Sequence, residues 1–241
     1  ITRYDASVTF QHALSDAERT AFLAVCGENG AEDCLFVAEK SLDALSGGTL
    51  NMQTLVTRED GLSSASALVA LIRETFADAD ADDVSYFYIS THGLWNTAVN
   101  GLMTLLLSDG ESEEGITAYE LRRVFDTIPG KKVLLLDACH SGAMIGKGVE
   151  KSFENLFAGD NYYVVCSSGG EEESWYWSGE VGGERLAGAG YFSGALADAL
   201  SRTGSFGADE NRDGAITLTE LRRRLLQSHG ASTVRTYPED S

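Results

Sequence analysis

Two short stretches of the chain carry side chains suited to covalent chemistry: Thr91-His92-Gly93, and Asp137 to Gly142, which reads DACHSG. A thiol such as Cys139 is a weak nucleophile until it loses its proton, and an imidazole such as His92 can take that proton and later hand it to a leaving amine. Gly93 would let the backbone approach closely, so its amide and that of Cys139 could together stabilise the oxyanion of a tetrahedral intermediate. Taken singly, each residue has an ordinary reading. A cysteine at a strand end usually packs as a small hydrophobe, and a histidine after a strand usually faces solvent. Their joint placement, each just past the end of an apolar run, is what points to a Cys/His dyad.

The dyad needs elements that bring the two run ends together. Apolar runs of strand length occur at 21–27, 52–57, 84–91, 132–138 and 162–168, and runs so uniformly apolar are usually covered on both faces. Between and after them, helical periodicity appears at 31–45, 63–79, 117–128, 190–202 and 217–229. The alternation predicts an α/β domain with a mainly parallel sheet and helices as crossovers. In such sheets functional groups gather at the carboxyl ends of the strands, where both His92 and Cys139 would emerge. The segment 94–107 reads as a hairpin leaving the sheet. Ser15 with Glu18 is a candidate helix cap. The stretches 46–48 and 179–190 are Gly-rich loops. Residues 1–19 read as an N-terminal extension or tether, and 20–241 as one domain.

Composition narrows the function classes. The 241 residues are 43% hydrophobic and 23% charged, as in ordinary globular proteins, and no apolar run approaches the length that spans a bilayer. The formal net charge of −19, from 37 acids against 18 bases, repels phosphate backbones and favours basic or cationic partners. A nucleic-acid surface and a membrane partner are not expected. The four cysteines, Cys26, Cys34, Cys139 and Cys166, lack CxxC spacing and imply burial rather than a disulfide framework. The chain opens at Ile1 without a signal-peptide pattern, which reads as an excised or processed piece, with targeting information expected elsewhere.

THG after one apolar run and DACHSG after the next resemble the caspase-like cysteine peptidases of clan CD, especially the bacterial caspase-like, metacaspase and clostripain-like branches. In caspases the histidine likewise lies about fifty residues upstream of the cysteine. The resemblance runs over about residues 20 to 228, through TREDGLSSASALVALI, CSSGGEEESW and GYFSGALADAL. It implies a caspase-hemoglobinase fold, a three-layer sandwich with the sheet between helices, with His92 as base and Cys139 as nucleophile. It leaves His140 as a loop residue. In metacaspase-like and clostripain-like members, the acid two residues before the cysteine lies in the pocket for the P1 side chain. Asp137 matches it and would pair with arginine or lysine. Asp33 matches a second acid of that pattern. Ser174 and Trp175 fall where the family builds the far pocket wall, and Glu171 to Glu173 either add negative potential there or face water as a solvated run. A legumain-like preference for asparagine, a transpeptidase using the same dyad, and a calcium-binding scaffold on an inactive fold stand as alternatives. The expected partner is a peptide or protein with Arg or Lys at P1, and the expected state is a monomer.

Two further features stand out. The segment 143–153 carries Lys147 and Lys151 on what should be an exposed stretch, where a peptidase of basic specificity could cut itself. DENRDGAITLTE, 209–220, follows the EF-hand loop spacing: Asp209, Asn211 and Asp213 at positions 1, 3 and 5, Gly214 at the turn, the Ala215 carbonyl at 7 and Glu220 at 12. Bound Ca²⁺ would there stiffen the C-terminal helices, and no cofactor is expected in the chemistry itself.

Overall fold

The computed structural model describes residues 20–26, 51–56, 62–96, 102–109, 111–149, 154–175, 179–181, 184–186, 191–200, 202–203, 205–213, 216–228 and 230–239. Asp33, Lys151, Gly214, Ala215, the Ser15 cap, the tether at 1–19 and the helix expected at 31–45 lie outside the described residues.

All five apolar runs are strands of one sheet: β1 (Thr20–Cys26), β2 (Asn51–Val56), β3 (Val84–Ser90), β7 (Lys131–Asp137) and β8 (Tyr162–Cys166). They pair in parallel, and β13 (Arg235–Tyr237) closes one edge antiparallel to β8, in the order β13-β8-β7-β3-β1-β2. Strand β13 was not foreseen, because three residues are too few to show a period of two. A second, three-stranded antiparallel sheet holds β4 (Gly93–Asn96), β5 (Leu102–Ser108) and β6 (Glu113–Thr117). The first two are the expected hairpin. The third hides in the sequence because its residues, EEGIT, are mostly polar. Two-residue and three-residue pairs, β9 (Gly179–Val181) with β10 (Glu184–Leu186) and β11 (Arg202–Thr203) with β12 (Ser205–Phe206), complete the described strands.

The uniform apolarity of β3, β7 and β8 has the expected cause: both sheet faces are buried there. Tyr86, Tyr88, Val133, Leu135, Tyr163 and Val165 pack under α3 (Tyr191–Leu200) and α4 (Leu218–Ser228). The alternate residues Phe87, Ile89, Leu134, Leu136, Val164 and Cys166 pack under α1 (Ala65–Thr75) and α2 (Ala118–Phe125), together with the small sheet. The protein is thus a mixed α/β fold whose mainly parallel sheet is flanked by helices. Helix α2 starts where its sequence says it should. The Thr117 hydroxyl accepts the Glu120 amide, and the Glu120 carboxylate accepts the Thr117 amide at 2.8 Å, a reciprocal capping box. Its buried face ends in Phe125, whose ring meets Phe87 edge-on at 5.3 Å.

These contacts set an order of effects. Phe125→Ala should lower unfolding free energy by about 3–5 kcal/mol through transfer and cavity terms, and Thr117→Ala by about 1 kcal/mol through the lost cap. Urea unfolding checks this, and equal losses for the two would refute the packing described.

Candidate active site

Strand register brings the two chemical stretches together. Strands β3 and β7 pair without a slip from Val84 opposite Lys131 to Ser90 opposite Asp137, so His92 and Cys139 each lie two residues beyond the same rung. Adjacent strands are about 4.8 Å apart. The chain past β3 is then pinned: the Thr91 amide donates to the Asp137 carbonyl, the Thr91 hydroxyl to the Leu106 carbonyl, and the His92 carbonyl accepts the Leu106 amide. Gly93 comes so close to the backbone of Cys139 that a Cβ there would sit 1.9 Å from the Cys139 carbonyl oxygen. No residue other than glycine fits. The side chain of His92 is exposed at this rim, beside exposed Leu94.

The turn that carries Cys139 is bolted from beneath. Ser167 accepts the Ala138 amide and Ser168 donates to the Ala138 carbonyl, at 3.1 and 3.0 Å. The Gly142 amide donates to the Ser168 carbonyl. These serines follow β8, the next parallel strand, so two strand ends hold one turn. His140 has a left-handed backbone, φ 63°, a conformation that costs a non-glycine residue free energy and persists where surroundings enforce it. Here its amide donates to the Glu172 carbonyl at 2.8 Å. Its Nδ1 lies 3.0 Å from the Gly170 carbonyl, an acceptor only, which assigns the proton to Nδ1. The His140 ring also meets Trp95 of β4, with centroids 6.2 Å apart. His140 is therefore not a plain loop position but a clamp on the turn that carries Cys139.

Asp137 is only 6% exposed, and each of its carboxylate oxygens accepts a serine hydroxyl, from Ser174 at 2.8 Å and from Ser193 at 2.5 Å. Ser174 also touches the thiol, donating its amide to Sγ at 3.4 Å while its carbonyl lies 3.6 Å from Sγ. Burial pushes the Cys139 thiol up. The Ser174 amide opposes this, and the charges of Glu173 and Asp137 add to it, so the group stays protonated at neutral pH. A base must then take its proton before it can attack.

The acidic loop divides by role rather than facing water throughout. Glu171 and Glu173 are exposed, whereas Glu172 accepts the Gly169 and Thr233 amides and the Thr233 hydroxyl. Burial works against its charged form, but these bonds outweigh it and hold the carboxyl below the usual range. Between this loop and the end of α4 runs a cleft of about 500 Å³, lined by Glu172, Glu173, Trp175, Leu226 and Thr233 among others. The Trp175 indole is 53% exposed there.

The segment after Cys139 is not the exposed stretch expected. Residues 141–145 are buried, and 146–149 are half-buried. The carbonyls of Lys147 and Gly148 accept the Gly170 and Glu171 amides, and Lys147 Nζ pairs with Glu239 at 2.6 Å. Buried backbone has to be hydrogen-bonded, and these bonds draw the segment against the 169–171 loop. In the 209–220 loop, Glu220 caps α4 through the Thr217 amide and hydroxyl and also takes the Asn211 amide, while the Asp213 amide bonds Asp209 and Asn211. Among the described residues no group of three or more His, Cys, Asp and Glu side chains is set to hold a metal. Glu220 thus joins the start of α4 to Asn211 of the loop.

No family model matches the chain, and no curated protein matches it. Among solved structures it is similar to protein GSU0716 from Geobacter sulfurreducens, at 12% identity and TM-score 0.58, over 91% of this chain and 92% of that one. A likeness at that identity is a statement about fold.

Alkylation of Cys139 by iodoacetamide, followed by peptide mass, should inflect above the ordinary thiol pKa of about 8.5. Removing a negative neighbour favours the thiolate, so Glu173→Gln should speed labelling at pH 8 by about two-fold, a small effect because Glu173 is solvent-screened. Slower labelling in that variant would contradict the charge placement.

Proposed function

We propose that the protein is a caspase-like cysteine endopeptidase that hydrolyses peptide bonds after a basic residue. The observation that supports this reading is the unslipped β3–β7 register with Gly93 packed on the Cys139 carbonyl, so that the backbones bearing His92 and Cys139 leave the sheet at the same rim. In the proposed reaction His92 takes the Cys139 proton and the thiolate attacks the scissile carbonyl carbon. The Gly93 and Cys139 amides face the developing oxyanion. The C–N bond breaks as the imidazolium returns its proton to the amine, leaving a thioester. Water, deprotonated by His92, then releases the acid and restores the thiol.

Basic specificity rests on Asp137. A carboxylate two residues before the nucleophile, held by two hydroxyls and almost fully removed from solvent, attracts a cationic P1 side chain strongly, since an unscreened charge is costly to leave unpaired. The protein's large negative charge steers cationic peptides toward the same rim. Glu173 and Trp175, on the adjoining cleft, would meet neighbouring substrate residues. Self-cleavage at Lys147 would require the packed 141–149 segment to open first.

Fluorogenic peptides varied at P1 test the reading. Arg and Lys substrates should be cleaved, and Cys139→Ala should lose about 1000-fold or more in kcat/KM. Turnover of Asn but not Arg or Lys would support the legumain-like alternative, and ligated rather than hydrolysed products would indicate a transpeptidase. Undiminished cleavage by Cys139→Ala would overturn the reading.

A further inference from the structure

We infer that Ser193, held by Tyr88, fixes the plane of the Asp137 carboxylate and thereby makes the P1 pocket prefer arginine to lysine. This deepens the proposed function and rests on it. Strand parity explains how these residues meet. Tyr88, Leu135 and Asp137 share the sheet face that α3 covers, and Ser193, in the first turn of α3, points down onto it. Ser193 is 0% exposed, as is Tyr88.

The proton count orders the chain of bonds. A serine hydroxyl has one proton, and that of Ser193 goes to Asp137 Oδ2. Ser193 Oγ therefore accepts from the Tyr88 hydroxyl, 2.6 Å away. Tyr88 lies on β3 in the core, so Ser193 is held from the sheet as well as by its own helix. With Ser174 on Oδ1, both oxygens are tied from different elements, and the carboxylate cannot turn about its bond to Cβ without breaking one of them. Each oxygen keeps a further lone pair. A carboxylate of fixed plane with one free lone pair on each oxygen matches the two parallel N–H bonds of a guanidinium. Lysine is a point charge, indifferent to that plane.

Ser193 is thus a positioning residue for specificity, and its loss should be read in selectivity rather than in rate alone. Wild type should favour Arg over Lys at P1 in kcat/KM. Ser193→Ala should lower that ratio about ten-fold, chiefly through KM for the Arg substrate, with Lys turnover within about three-fold of wild type. Tyr88→Phe keeps the ring in the core and removes only the hydroxyl, so it should move the ratio the same way by about three-fold. Iodoacetamide labelling of Cys139 should be unchanged in both, since neither serves the thiol. An Arg-to-Lys ratio within two-fold of wild type in both variants, equal losses on both substrates, or a wild-type preference for Lys would overturn the inference while leaving the peptidase intact. Failure of wild type to cleave either substrate, with Cys139 still labelled, would instead overturn the proposed function.

Discussion

The close approach of Gly93 to the Cys139 carbonyl governs the rest of the site. Two parallel strands in register end side by side, and the chain leaving one turns across the end of the other with no room for a side chain. That constraint fixes where His92 can be and why a glycine must follow it. It also means that the backbones carrying His92 and Cys139 are held by hydrogen bonds to neighbouring strand ends, so their spacing is as rigid as the sheet beneath them.

Around this contact, neighbouring elements supply supports of one chemical kind. Ser167 and Ser168 after β8 hold the turn that carries Cys139, while Ser174 and Ser193 hold Asp137. Serine suits the task because it is small enough to reach a strand end in a packed interior and offers both a donor and an acceptor. The C-terminal segment adds a strap: Thr233 binds Glu172, Ser232 donates to the Ser167 carbonyl, and Glu239 pairs with Lys147. The loops on both sides of the cysteine are thereby tied to the same edge of the fold.

Much of this was legible in the sequence where pattern and physics coincide. Strands β3, β7 and β8 are apolar because both sheet faces are buried there, and a run of that kind has few other readings. The described helices fell where the amphipathic period placed them, and the Thr117–Glu120 cap emerged only in the structure. The supports were not legible. Ser193 sits in a helix whose period hides one buried polar position, and nothing local marks it as the partner of a residue 56 positions away. His140 and Glu172 took their roles from a left-handed turn and from a loop brought close by β13, neither of which has a sequence period. Lys147 looked exposed because two glycines flank it, yet Gly148 is there to let the chain pack against Gly169.

The most direct test of the account is covalent capture with a peptidyl acyloxymethyl ketone bearing Arg at P1, read by the mass of the modified peptide. One adduct should form, on Cys139, faster than with an Asp-bearing analogue and suppressed in His92→Ala. An adduct on another cysteine, or faster capture by the Asp-bearing analogue, would contradict it.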